Sequence, residues 1–201
     1  MLKQAVGQGD RPSVKTSSSM QMPVTGLLGF GCCAVLFALF QAQSAAANPW
    51  LLAAGIVYGG GSLILTGLRQ WQKKAGIGAL TCVVYGLFWL SLVGFTVLPQ
   101  LGFGVVSRPM VLCDYYFLWC SFSVLLLVGN LKLLQFFQLP LVFLIGYFVL
   151  FSCGVIFEVV LLRELSSYLV FVSGALACYS GVAKLVNRLS GQTLLPLGQA
   201  R

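Results

Sequence analysis

Sorted into apolar and polar positions, the chain is a series of long apolar blocks near residues 25–43, 47–68, 75–97, 110–129, 134–157 and 165–187, separated by short breaks. Each is close to the roughly 20 residues that a helix needs to cross a hydrocarbon layer about 30 Å thick. Within a block the apolar residues do not alternate with polar ones, and Leu87-Phe88-Trp89-Leu90 is apolar on every side. That excludes the two-residue alternation of an outer-membrane barrel strand. It fits a helix, whose backbone hydrogen bonds are all made within the segment. Pro49, Pro99-Gln100, Arg108-Pro109 and Asn130 fall in the connections, as residues that end helices do. The expected organisation is an all-α membrane protein with six transmembrane helices: a disordered tail over residues 1–24, a six-helix domain over 25–189 and a short tail over 190–201.

Composition closes off other classes. Of 201 residues, 59% are hydrophobic and only 8% charged, against about 25% charged in a soluble domain. The basic residues are unevenly placed. Lys3, Arg11, Lys15, Arg69, Lys73, Lys74, Lys132, Lys184, Arg188 and Arg201 fall on one side of the expected topology, and only Arg108 and Arg163 on the other. Cationic loops stay on the cytosolic side, so both termini are expected in the cytosol; the membrane expected is the plasma membrane. Loop bias and contact with anionic lipid account for the net charge of +8 without a nucleic-acid partner. Lys3, Arg11 and Lys15, followed by Gly26 to Phe40 and Ala45-Ala46-Ala47, imitate a cleaved signal peptide, but the leading tail is too long and the run nearly spans a bilayer. It is read as the first span.

Seven cysteines, Cys32, Cys33, Cys82, Cys113, Cys120, Cys153 and Cys178, lie in or beside the spans, form no CxxC pair and have no histidine to work with. They are read as small apolar packing residues, with no metal or cofactor expected. Of the four acids, Asp10 is in the tail and Asp114, Glu158 and Glu164 lie near the outer face, read as solvated helix ends or the rim of an outer vestibule. None sits mid-span, where proton-coupled carriers place their costly carboxylates. No nucleophile and base constellation and no paired in-span carboxylates are present, so an enzyme is not expected.

Several residues carry candidate roles. Gly55, Gly59, Ser62 and Thr66 share one face of the second span, which suits close helix packing and equally a seam that frames a pore. Phe30, Tyr58, Tyr85, Trp89, Tyr147 and Tyr179 are expected near the interior; each is either a packed core aromatic or, for a tyrosine, a hydroxyl offered to a solute. Tyr58, Trp89, Tyr179 and Thr66 are the candidate pathway lining. Lys184 and Arg188, four apart at the end of the last span, either draw anions to a mouth or snorkel to lipid headgroups.

Taken in order, Gly26-Leu27-Leu28-Gly29-Phe30-Gly31, Gly55-Ile56-Val57-Tyr58-Gly59-Gly60, Tyr85-Gly86-Leu87-Phe88-Trp89, Leu134-Gln135-Phe136 and Thr193-Leu194-Leu195-Pro196-Leu197-Gly198 resemble the acetate uptake transporter family, or succinate-acetate permeases. The resemblance covers residues 25–199. It implies a six-helix protomer, a homo-hexamer, and a pathway in each protomer for acetate and related small carboxylates, by an anion-channel or proton-linked route. It also implies an apolar constriction, which by motif is Phe30 and Tyr85 and by counting from Leu134-Gln135-Phe136 is Leu141. The chain departs from the family pattern at Gln21-Met22-Pro23-Val24-Thr25, where an Asn and a Pro are missing, at Leu63 in place of a Gln, and at Lys184 in place of a Glu.

An ionised carboxylate stripped of water in an apolar ring costs several kcal/mol or more unless donors replace its hydration. Phe30 and Leu141 have no donor to give; Tyr85 has one. A short apolar neck also gates by dewetting. The function expected is a gated channel or transporter for small carboxylates, with any proton carried on the substrate. Two other readings suit the uncharged spans: a channel for a neutral solute such as ammonia or urea, and a non-transporting multi-span scaffold of the same fold.

Overall fold

The computed structural model describes residues 22–42, 48–74, 76–105, 108–129 and 135–197, the first three residues of the last segment by their backbone only. The readings made for Lys3, Asp10, Arg11, Lys15, Gln21, Ala45-Ala46-Ala47, Asn130, Lys132, Leu134, Gly198, Arg201 and most of the N-terminal tail lie outside the described residues, as do the side chains of Gln135 and Phe136.

Six long helices make up the described residues: α1 (Val24–Gln41), α2 (Pro49–Gln72), α3 (Gly76–Leu92), α4 (Pro109–Gly129), α5 (Gln135–Ile156) and α6 (Val160–Ser190). All are long and apolar enough to cross a membrane, α3 together with the turns that continue it to Leu101. Local chemistry sets their ends. Asn48 caps α2, its side chain accepting from the Trp50 amide at 2.9 Å, with Pro49 in the first turn where it has no N–H to lose. Gly191, at φ 67°, takes the left-handed conformation that ends α6.

Three boundaries differ from the sequence reading by four residues or more, the first being that α2 runs on to Gln72, past the expected 68. The third span does not stop before Pro99-Gln100; it runs on through a π-turn (Val93–Val97) and a 3₁₀ turn (Leu98–Leu101) to Gly102, at φ 85°. Proline at the start of the 3₁₀ turn extends the helical path because its missing N–H is not needed there. The sixth helix starts at Val160, ahead of the expected 165, and takes in Arg163 and Glu164. Both are exposed, so their charges stay solvated at the bundle's end.

Successive helices run up and down, so the start of α1 and the end of α6 lie at one end of the bundle, where Thr25 and Arg188 line one space. Helix contacts follow the cyclic order α1, α2, α3, α4, α5, α6 and back to α1, a closed ring. Small residues draw the walls together. A Cβ added to Gly174 would sit 2.8 Å from the Val35 amide nitrogen and 2.9 Å from the Gly31 carbonyl oxygen, so α6 and α1 touch backbone to backbone. Gly60 and Gly86 bring α2 and α3 equally close. Gly59 and Ser62 face Gly29 of α1, and Gly55 faces Leu36. This predicted small-residue face therefore seats α1 on α2. Outside the ring, Val57, Leu65, Phe117, Leu125 and Val149 are exposed, the apolar belt an integral membrane protein presents to lipid.

Candidate transport pathway

Large side chains from the ring fill its centre. Phe30 and Phe37 of α1, Tyr85, Phe88 and Trp89 of α3, Tyr116 of α4, and Leu144, Tyr147 and Phe148 of α5 are each at most 4% exposed. Phe30 meets Tyr85 edge to face at 5.2 Å and Trp89 at 5.9 Å. Phe37 meets Trp89 and Tyr147, each at 6.0 Å. These T-shaped contacts set the positive edge of one ring against the negative face of the next, which makes the plug well packed and closed.

A cavity opens at each end of this plug. At the end where α1 starts and α6 finishes, a space of about 430 Å³ is lined by Thr25, Thr66, Arg69, Lys73, Lys184 and Arg188, among others. At the other end, a space of about 180 Å³ is lined by Phe37, Gln41, Thr96, Gln100, Tyr116 and Phe151 among its residues. A wider opening of about 590 Å³, with Gln41, Arg163, Glu164 and Tyr168 on its walls, lies at that same end. The π-turn and 3₁₀ turn at the end of α3 turn Thr96 and Gln100 toward the second cavity. A π-turn interrupts regular bonding and is frequent at functional sites.

Side-chain hydrogen bonds join helices of the ring at several levels, two of them beside the plug. Tyr85 donates its hydroxyl to Ser123 of α4 at 2.9 Å, and Ser123 donates to the Trp119 carbonyl at 2.8 Å. The one hydroxyl donor expected at the constriction is therefore already engaged by Ser123. Farther along, Gln41 donates to Tyr147 at 2.7 Å and Tyr147 donates to Tyr116 at 2.9 Å. This chain ends at the smaller cavity, which Gln41 and Tyr116 both line. The Trp89 indole N–H is buried without a partner among the described residues.

The predicted residues divide cleanly. Phe30, Tyr85 and Trp89 meet at the plug, and Thr66, its hydroxyl 3.2 Å from that of Thr25, lines the larger cavity. Leu141 lies on the inward side of α5, beside Pro140, whose carbonyl accepts from Ser173 at 2.6 Å. One turn on, Leu144 is fully buried; counting from the motif passes over it. Tyr58 and Tyr179 do not join the plug. Tyr58 is 83% exposed on the outer face of α2, because its neighbours Gly59 and Gly60 occupy the inward positions against α1 and α3. Tyr179 is partly exposed and donates to the Pro196 carbonyl at 3.2 Å, tying the C-terminal segment to α6. Asn187 completes that tie, accepting from the Leu195 amide at 2.9 Å and donating to its carbonyl at 2.8 Å. Gln41, Thr96, Gln100 and Tyr116 were missed. Their only signal was polarity at the ends of apolar runs, where polar residues are ordinary.

The chain is similar to known proteins in sequence and in fold. The family model described as GPR1/FUN34/yaaH family matches residues 10–197. The succinate-acetate/proton symporter SatP of Escherichia coli (strain K12) is 31% identical over 175 residues, covering 87% of this chain and 93% of that protein. An uncharacterized protein of Methanothermobacter thermautotrophicus is 33% identical over 178 residues, covering 85% of this chain and 87% of its own. Among solved structures, that of the bacterial acetate channel SatP superimposes with a TM-score of 0.80 at 29% identity, over 87% of this chain and 97% of that one. A six-helix ring with glycine seams and an aromatic centre, matched over nearly its whole length in sequence and in fold, places this chain in the GPR1/FUN34/yaaH family.

Proposed function

We propose that the protein is a membrane channel or transporter for acetate and related small carboxylates, with the axis of the helix ring as its path. The observation that carries this reading is the pair of polar-lined cavities at opposite ends of the ring, separated by the plug of Phe30, Tyr85 and Trp89. The conformation described is closed. Phe30 and Tyr85, with Leu141 and Leu144 on the α5 side, form the neck. A carboxylate that reaches it has lost much of its water, at a cost of several kcal/mol, so the donors on either side matter. Tyr85 offers its hydroxyl when it leaves Ser123, Trp89 offers its indole N–H, and the Gln41, Tyr147 and Tyr116 chain receives the solute beyond. Among the described residues the acids Asp114, Glu158 and Glu164 are all exposed. Any proton that crosses is therefore carried on the substrate.

Six copies assemble around the apolar outer surface, in the plasma membrane, with both termini in the cytosol, where the basic residues cluster. Uptake of radiolabelled acetate into liposomes carrying the purified protein tests the reading. Saturable uptake, competed by succinate or propionate and changed by Phe30→Ala, is the expected outcome. Absence of acetate uptake, or permeation of urea in its place, would overturn it.

A further inference from the structure

The larger cavity has an electrostatic character that a passive mouth does not require. Arg69 in the last turn of α2 and Lys73 just past its end stand four residues apart, Lys184 and Arg188 stand four apart on α6, and all four line the same space. Like charges at that spacing repel, and among the described residues no acid lines the cavity. The described acids lie at the other end of the bundle: Asp114 in the first turns of α4, Glu158 after α5 and Glu164 in the first turns of α6. Lys184 is not extended toward headgroups. It is only partly exposed, and its ammonium donates to the Met22 carbonyl at 2.9 Å, which holds the charge in the cavity wall. The paired hydroxyls of Thr25 and Thr66 sit on the α1 and α2 walls.

We infer that this cavity is a binding site for a dicarboxylate anion, held with one carboxylate near the Arg69 and Lys73 pair and the other near the Lys184 and Arg188 pair. The inference rests on the reading that carboxylates travel the axis of the ring, and adds a site that selects by charge before the neck selects by size. Two cationic pairs on different helices match two anionic groups, whereas a monocarboxylate engages one pair and a neutral solute gains nothing from either. A volume of about 430 Å³ is within the usual range of small-ligand pockets, roughly 300–1,000 Å³. An anion there also relieves the repulsion within each pair.

The test is calorimetric titration of the full-length protein in phosphatidylcholine nanodiscs with succinate, and with succinamide as the uncharged analogue. Succinate is expected to bind and succinamide not. The affinity should weaken about tenfold or more between about 0.01 M and about 1 M salt, as the Debye length falls from roughly 30 Å to roughly 3 Å. The double variant Lys184→Gln/Arg188→Gln should lose about tenfold, and Arg69→Gln/Lys73→Gln, made on the other helix, should lose as much. Equal affinity for wild type and both variants, or equal affinity for succinate and succinamide, overturns the inference. A further arm adds phosphatidylglycerol to the nanodiscs. If it abolishes succinate binding, and does so only while Lys184 and Arg188 are present, the cations serve lipid headgroups and the inference falls. Liposome flux is read separately. If the wild type passes no acetate while binding succinate as described, the transport reading fails and the anion site stands; flux without such binding removes the site alone.

Discussion

Replacing Gly174 by alanine probes the closest seam of the ring. The new methyl group would lie 2.8 Å from the Val35 amide nitrogen and 2.9 Å from both the Ala34 Cβ and the Gly31 carbonyl oxygen, where ordinary contact begins at 3.4 Å. None of these atoms is the end of a flexible side chain, so α1 and α6 must part by about half an ångström. Overpacking of this kind costs about 1–3 kcal/mol. Alanine recovers about 1 kcal/mol of helix propensity, which leaves a net loss of about 0–2 kcal/mol. For a chain of this size that lowers the unfolding midpoint by roughly 2–4 °C per kcal/mol. Because Gly31 follows Phe30 directly, the same displacement moves Phe30 away from Tyr85, and acetate leak should rise. Gly61→Ala is the control: Gly61 lies within α2, and nothing in the protomer comes within 4 Å of its added Cβ, so the midpoint should hold or rise. Thermal unfolding followed by circular dichroism, with acetate flux in liposomes, reads both effects. A midpoint for Gly174→Ala equal to or above that of Gly61→Ala would refute the close-seam argument.

Other consequences are as direct. Tyr85→Phe keeps the ring against Phe30 but removes the bond to Ser123; one lost neutral hydrogen bond should cost about 1 kcal/mol of stability. If the hydroxyl serves the solute, acetate flux should also fall about tenfold, the equivalent of ~1.4 kcal/mol, and unchanged flux would remove Tyr85 as a donor. Leu144→Ala empties space at a fully buried position, a loss of about 2–5 kcal/mol in well-packed cores. Stopped-flow measurement of acetate-driven pH change should show a faster leak, and a rate equal to wild type would place Leu144 outside the neck. Lys74 holds φ 58° after α2, so Lys74→Gly should stabilise by about 0.5–1 kcal/mol; the same gain from Lys74→Ala would point to charge and not conformation.

Span number and helical class were legible in the sequence because both depend on local quantities, run length and the absence of alternation. The motif around Phe30 and that around Tyr85 located two residues that meet at 5.2 Å. Tyr58, beside glycines that do face inward, was read to the wrong side because an apolar helix in lipid has no polar face to fix its rotation. The end of α3 was misjudged at Pro99, since proline stops an α-helix but starts a 3₁₀ turn.

The sequence by itself determined that this chain is six apolar helices with uncharged middles and a basic end, because hydrocarbon tolerates only helices with bonds satisfied inside each segment. Only the tertiary structure decided that those helices close into a ring, that Tyr85 spends its hydroxyl on Ser123, and that Gln41, Tyr147 and Tyr116 form one hydrogen-bonded chain. It alone brought Arg69, Lys73, Lys184 and Arg188 around one cavity. The physical reason is that helix rotation and partner choice in a membrane are set by backbone contact at small residues, and such contact is a property of two helices together, absent from either sequence segment alone.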